Sequence, residues 1–260
     1  MVSIRPLAAV LALGLCAGAA RAQTQPINDT GVTFSGDASS NSTICEPSAS
    51  TTQDCHNGRD AAAAAGVLTK AGASALNNGV ANGFDYTKIS NAGNPIASTV
   101  ALGTGGSDWA CTLDNVTGLI WEVKNEATFR YVEQTYTWYD STSPDGNSGT
   151  PNGGSCSLLT RCDTEKFVQD VNEVGLCGHS DWRMPTRREL QSLVDYGRLN
   201  PSIDPAYFPN TYSLYGTSYW SGSPYADDSS AAWFVDFYDG QVNGQDRADS
   251  LHVRLVRGGH

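Results

Sequence analysis

Four histidines, 27 acidic residues and seven cysteines are the groups in this 260-residue chain with the widest chemical repertoire. The histidines are His56, His179, His252 and His260, and no two of them stand at metal-ligand spacing. His179-Ser180-Asp181 holds the letters of a nucleophilic triad, but a triad is built from spatial geometry and not from adjacency along the chain. No catalytic residue is assigned, and the chain reads as a non-enzyme. A different chemistry is written between Ser221 and His252, where Tyr225, Asp227, Asp228, Asp236, Tyr238, Asp239, Asn243, Gln245, Asp246 and Arg247 are threaded among apolar residues. Tyrosine offers contact area at low entropy cost, and short amides and carboxylates offer hydrogen bonds. These residues are the expected ligand-binding surface. Asp227-Asp228 and the pair Asp246 and Asp249 are where a calcium ion would sit, although no residue is assigned as a metal ligand and no cofactor is required. The loop Asp236–Gly240 lacks the alternating acidic ligands of an EF-hand.

The only basic concentration is Arg183, Arg187, Arg188 and Arg198, and it reads as a solvated helix face with Arg183 paired to a carboxylate. Net charge is −11. Residues 1–22 have the form of a secretory signal: Arg5, an apolar stretch from Val10 to Ala19, and Ala20-Arg21-Ala22 before Gln23. That stretch is shorter than the roughly 20 residues a bilayer needs. Without the signal the charge becomes 14 − 27 = −13. Nucleic acid is therefore excluded as a partner, since phosphate binding draws on clustered Lys and Arg. Insertion into a membrane after signal removal is excluded too, and so is attraction to an anionic membrane surface. Loss of Cys16 leaves an even set, Cys45, Cys55, Cys111, Cys156, Cys162 and Cys177, expected to form a disulfide framework in an oxidising compartment. Cys45–Cys55 is the local pair. The other four allow three connectivities, and the one expected is Cys162–Cys177 across a helix with Cys111–Cys156.

The elements that must position these residues are unevenly distributed. Only Phe34, Phe84 and Tyr86 among the aromatics precede Trp109. Aromatics carry much of a core's burial energy, so the packed domain is expected at 109–260, behind a Gly/Ala/Ser/Asn-rich leader or stalk at 23–108. Within that domain Leu119–Val123 reads as a strand. Phe167, Val168, Val171 and Val174 give a helix over 163–174 with Gly175 as its cap. Thr186 and Glu189 form a capping box that starts a second helix. Tyr219–Ser223, Trp233–Tyr238, Gln241–Gln245 and Leu251–Arg257 read as strands, the last with half-buried alternation. Two helices followed by short antiparallel strands make an α+β fold.

Four spaced motifs resemble one family. They are Thr117-Gly118-Leu119-Ile120-Trp121-Glu122, the run from Gly175-Leu176-Cys177-Gly178-His179 through Asp181-Trp182-Arg183-Met184-Pro185-Thr186 to Leu190, Tyr219-Trp220-Ser221-Gly222-Ser223, and Val253-Arg254-Leu255-Val256-Arg257. They resemble the Lcl C-terminal domain family, named from a bacterial collagen-like adhesin, and Gln53–Asp60 resembles leader segments attached to it. The resemblance implies a C-type-lectin-like fold, distantly like formylglycine-generating enzymes, in which the first and last strands of the domain meet. It also implies an exported surface or adhesion protein whose ligand surface precedes the closing strand. An oxidase of that kind needs a cysteine pair near the C-terminus, and none follows Cys177. The Glu-Pro-Asn and Gln-Pro-Asp tripeptides of calcium-dependent lectins are missing as well. The namesake's association with sulfated polysaccharides is at odds with the acidic charge. The expected function is thus an exported adhesion module recognising a glycan or a protein, placed outside the cell, on its surface or in the periplasm. A structural or assembly subunit of a surface appendage is the alternative, with a homo-oligomer open.

Overall fold

The computed structural model describes residues 28–42, 44–47, 52–126 and 128–258. The expected signal, with Arg5 and Cys16, lies outside them. Among the described residues no helix is long and apolar enough to cross a membrane. In chain order the elements are α1 (Gly58–Ala64), β1 (Tyr86–Ser90), β2 (Pro95–Ile96), β3 (Trp109–Asp114), β4 (Ile120–Glu122), β5 (Tyr136–Thr137), α2 (Thr164–Val174), α3 (Arg187–Gln191), β6 (Ser218–Pro224), β7 (Ala231–Asp236), β8 (Val242–Asp246), β9 (Ser250–Leu251) and β10 (Val256–Arg257). The strands form three antiparallel sheets, β10-β4-β3-β1-β2, β5-β9 and β6-β7-β8. With short helices beside them, this is the expected α+β arrangement.

The helix signals act as anticipated. The Asp163 carboxylate accepts the Lys166 N–H at 2.9 Å to start α2, and Gly175 ends it in the left-handed conformation at φ 65°. Phe167 and Val171 are buried, whereas Val174, expected on the same stripe, is exposed. Thr186 Oγ1 accepts from Glu189 N at 3.3 Å, and Glu189 Oε2 accepts from Thr186 N at 2.7 Å. Both bonds of the capping box are thus present, and α3 runs only to Gln191.

The closing segment stitches the sheets together. β9 pairs with β5, Trp220 N donates to His252 O at 2.9 Å, and β10 pairs with β4 through Val256↔Trp121. The strand read at Leu119–Val123 and the closing strand do meet, as β4 and β10, whereas β3, which opens the family-like region, lies on the other side of β4. One continuous strand over 251–257 does not form, and the half-buried alternation expected there is not found, because His252, Val253, Arg254, Leu255 and Val256 are all buried. Arg254 is accommodated inside by donating to Glu122 O and Thr211 Oγ1, both at 2.8 Å.

The expected boundary between residues 108 and 109 runs through a sheet. β1 pairs with β3 from Tyr86↔Asp114 to Ser90↔Trp109, and Phe84 and Tyr86 are buried in a core cluster with Trp121, Leu190 and Phe208. Further back, Asn28 Nδ2 donates to Asp114 Oδ2 at 2.9 Å and Ala75 N to Asp204 Oδ2 at 2.7 Å. Small residues carry little apolar surface of their own, so this layer is held by hydrogen bonds to buried carboxylates of the later chain. A second cluster gathers Trp138, Phe167, Trp182 and Trp220.

Cys45–Cys55 forms as expected. The other pairing is corrected to Cys111–Cys177 and Cys156–Cys162. Cys162 and Cys177 flank the 11 residues of α2, a length of about 16 Å at 1.5 Å per residue, and a disulfide tolerates no more than about 7 Å between Cα atoms. After Gly175 the chain turns through a single 3-10 turn, Leu176–Gly178, bringing Cys177 to fully buried Cys111 on β3.

Candidate functional site

The candidate site is the outer face of β6-β7-β8 and the turns at one of its ends. Directly opposed residues of an antiparallel pair share a face, so the register Trp233↔Gly244 puts half-buried Trp233 beside a residue with no side chain. Tyr225 follows β6 and fills that vacancy. Its ring lies 4.6 Å from the Trp233 ring, and a Cβ on Gly244 would come within 2.6 Å of Tyr225 Cδ2. On Trp233 sits the Arg187 guanidinium, 4.5 Å from the ring centroid. Arg187, Trp233 and Tyr225 therefore form one contiguous array, the two rings tilted at 53° to each other.

Beside Tyr225 lies a cleft of about 270 Å³ lined by Asp228, Ser230, Asn243, Gln245 and Asp246. Two turns build its walls. In the β6–β7 turn, Asp228 Oδ1 accepts from Ser230 N at 2.8 Å and Ser230 Oγ at 2.7 Å, bonds that hold its carboxyl below the usual range. In the β8–β9 turn, Asp246 Oδ1 accepts from Ala248 N at 2.8 Å. Arg247 N donates to Ser230 O at 2.9 Å, joining the two turns.

Five of the expected contacts thus converge: Tyr225, Asp228, Asn243, Gln245 and Asp246. Asp227 is exposed on the adjoining turn. Asp236, Tyr238 and Asp239 lie at the far end of β7, where Asp236 Oδ1 accepts from Tyr238 N at 2.7 Å and Asp239 Oδ1 from Gln241 N at 2.9 Å. Asp236 is buried, which raises its carboxyl pKa, and these side chains shape a turn. Arg247 is a correction. It is 1% exposed, stacks 4.1 Å from the Trp138 centroid, donates to Ala231 O at 3.0 Å and pairs with Asp145. Its four-atom stem reaches the core, so it anchors the loop over 140–155 and is unavailable to a ligand.

Arg187, Trp233 and Gly244 were absent from the expected set. The signal for Trp233 was available, since adjacent Trp233 and Phe234 on one strand must face opposite sides of the sheet. Nothing local reveals that Tyr225 folds back over Gly244.

Of the triad letters, the aspartate is committed to another partner. Asp181 is tied to Arg257, at 2.8 and 3.1 Å, which lowers its carboxyl pKa. His252 is buried, which depresses the imidazole to about 4, with Nδ1 3.1 Å from Gln134 O. The arginine concentration also disperses: Arg183 pairs with Glu189 at 2.7 Å and Arg198 lies 3.8 Å from Asp195. Among the described residues, groups of three potential ligand atoms within 4.8 Å occur at Asp29, Asp54 and Asp60 and at Cys45, Cys55 and His56. The second is spent as a disulfide. The first offers hard oxygen ligands fit for a divalent cation. Asp227-Asp228 and Asp246 with Asp249 form no such group. Asp60 is raised by its burial and then by the Asp29 carboxyl beside it, and its Oδ1 accepts from Gly83 N at 2.7 Å.

Fold and site together define a disulfide-linked α+β domain with an aromatic, carboxylate-edged cleft on an antiparallel sheet. Residues 110–257 match the model of the Lcl C-terminal domain, which is more than half of the chain, and the protein belongs to that family. No curated protein matches the chain.

Proposed function

We propose that the protein is an exported, non-catalytic recognition module of C-type-lectin-like fold that binds a glycan through the cleft beside Tyr225. The observation carrying this reading is the contiguous array of Tyr225, Trp233 and Arg187 at a cleft edged by amides and carboxylates. An aromatic face takes the apolar side of a sugar ring, and planar amides and carboxylates fix its hydroxyls. Membership of an adhesin-associated family supports an adhesive role, and the signal-like segment with three disulfides supports export. A glycan array on wild type and on the Tyr225→Ala, Asn243→Ala double variant tests it. Loss of bound sugars in a variant with unchanged melting supports the reading, and unchanged binding refutes it.

An assembly role is favoured by one other observation. Tyr215 is 84% exposed and Leu214 58%, and the Tyr215 ring meets Tyr238 edge-on at 5.5 Å, leaving an apolar tip in water. Analytical ultracentrifugation of Tyr215→Ser against wild type tests this, with oligomers lost only in the variant.

A further inference from the structure

The hydrogen-bonding inventory of the cleft is lopsided. Asn243 Oδ1 accepts from Gly244 N at 2.8 Å, which leaves its NH2 to donate. Gln245 Nε2 donates one N–H to Asp249, which leaves its second N–H to donate and Oε1 to accept. Asp228 and Asp246 each commit Oδ1 to their own turns and keep Oδ2. Two carboxylates with no cation on them therefore line the cleft beside the neutral amides of Asn243 and Gln245. Neither Asp228 nor Asp246 has a cationic partner among the described ion pairs, and Asp227 and Asp249 add unpaired charge nearby. The neighbouring cations are committed elsewhere. Arg247 is buried with Asp145, and the Arg187 guanidinium lies over the Trp233 ring.

Such a surface suits a ligand that brings donors. A primary ammonium carries three N–H donors and no acceptor, and it is attracted to an aromatic face. A sulfate, a carboxylate or an acetamido oxygen brings further acceptors to a place already rich in them. The volume, about 270 Å³, lies just below the range of drug-sized pockets, which suits a single ring and its substituents. The missing side chain of Gly244 lets the Tyr225 ring lie against the sheet.

We propose that this cleft selects the free amine of a de-N-acetylated hexosamine unit, the ammonium bridging Asp228 and Asp246 while the sugar ring lies against Tyr225. The inference rests on the glycan reading above and names its ligand class. It also reverses the anionic preference that a basic patch would have implied.

The test is isothermal titration of the full chain, produced by export so that its disulfides form, at pH 5.5 and low salt. The probes are a glucosamine tetramer, an N-acetylglucosamine tetramer, a sulfated tetrasaccharide and tetralysine. The expected result is an affinity for the glucosamine tetramer on the order of tenfold above that for its acetylated form, as charge-assisted hydrogen bonds contribute about that factor. Asp228→Asn with Asp246→Asn should erase the preference while leaving the melting temperature unchanged. Equal binding of the two tetramers overturns the proposal, as does tighter binding of the sulfated one. Tetralysine binding more tightly than the glucosamine tetramer overturns it in favour of a protein ligand. If no tetramer binds while an array shows another sugar held through Tyr225, amine selection fails and the glycan reading stands. If the array shows none, both fail.

Discussion

Replacing Cys156 and Cys162 together by alanine separates the observed disulfide pairing from the one that crosses α2. In the observed pairing the double variant removes one crosslink, which closes a short loop of sequence separation 6. The chain-entropy relation gives such a loop about 2.4 kcal/mol at 25 °C. In the crossing pairing the same variant would break two crosslinks, with loops of about 15 and 45 residues contributing about 3 and 4 kcal/mol, or roughly 7 in all. The reciprocal variant, Cys111→Ala with Cys177→Ala, removes a crosslink of separation 66, worth about 4.4 kcal/mol on the same relation. Both of its cysteines are fully buried, so lost packing adds to the cost. The assay is urea unfolding by intrinsic tryptophan fluorescence, with thiols counted by alkylation and mass spectrometry. The expected order is a loss of roughly 2 kcal/mol with no free thiol for the first variant, and at least twice that for the second. A first variant that loses roughly 7 kcal/mol and exposes two thiols would refute the pairing, and with it the helix-length reasoning.

Other outcomes follow from single contacts. Gly244→Ala must push the Tyr225 ring aside, so ligand affinity should fall several-fold in titration while stability changes by less than about 1 kcal/mol, because the ring can move outward. Asp145 is depressed to about 2 by its hydrogen bond from Arg247, so its stabilisation is present above the ordinary carboxylate range near 3.8 and is lost as pH falls through about 2. Asp145→Asn should accordingly show a smaller fall in melting temperature than wild type between pH 7 and pH 2. Asp60 is raised, so its stabilisation is complete below the ordinary range and is lost as pH rises toward its folded value. Asp60→Asn keeps an acceptor for Gly83 N and should melt higher than wild type at pH 7.5, with the gap closing below pH 4. A lower melting point for that variant, with calcium raising that of wild type, would mean that the cluster holds a cation rather than a proton. Thr186→Ala removes the cap of α3 and should cost about 1 kcal/mol in urea unfolding.

What could be read along the chain is what local chemistry decides. Asp163, Gly175, Thr186 and Glu189 set the ends of two helices through bonds spanning a few residues, so both starts and the C-cap were visible. The family motifs were visible because they are contiguous. The helix length that forbids Cys162–Cys177 was legible as well, since 163–174 had already been read as helical.

The tertiary structure decided whatever depends on which face a side chain meets. An arginine in a polar strand looks the same whether it points to water or to a tryptophan, and only packing placed Arg247 against Trp138 and beside Asp145. A glycine- and alanine-rich segment looks like a stalk until its backbone meets carboxylates from more than a hundred residues away, as Ala75 meets Asp204. The cleft is the sharpest case. The residue types between Ser221 and His252 supplied the acidic, tyrosine-bearing character of the surface. Their division into a cleft, a distant turn and a buried anchor came from strand register, which opposes Trp233 to Gly244 and leaves Tyr225 the space to cover it. Register is a property of paired strands, and no single strand carries it.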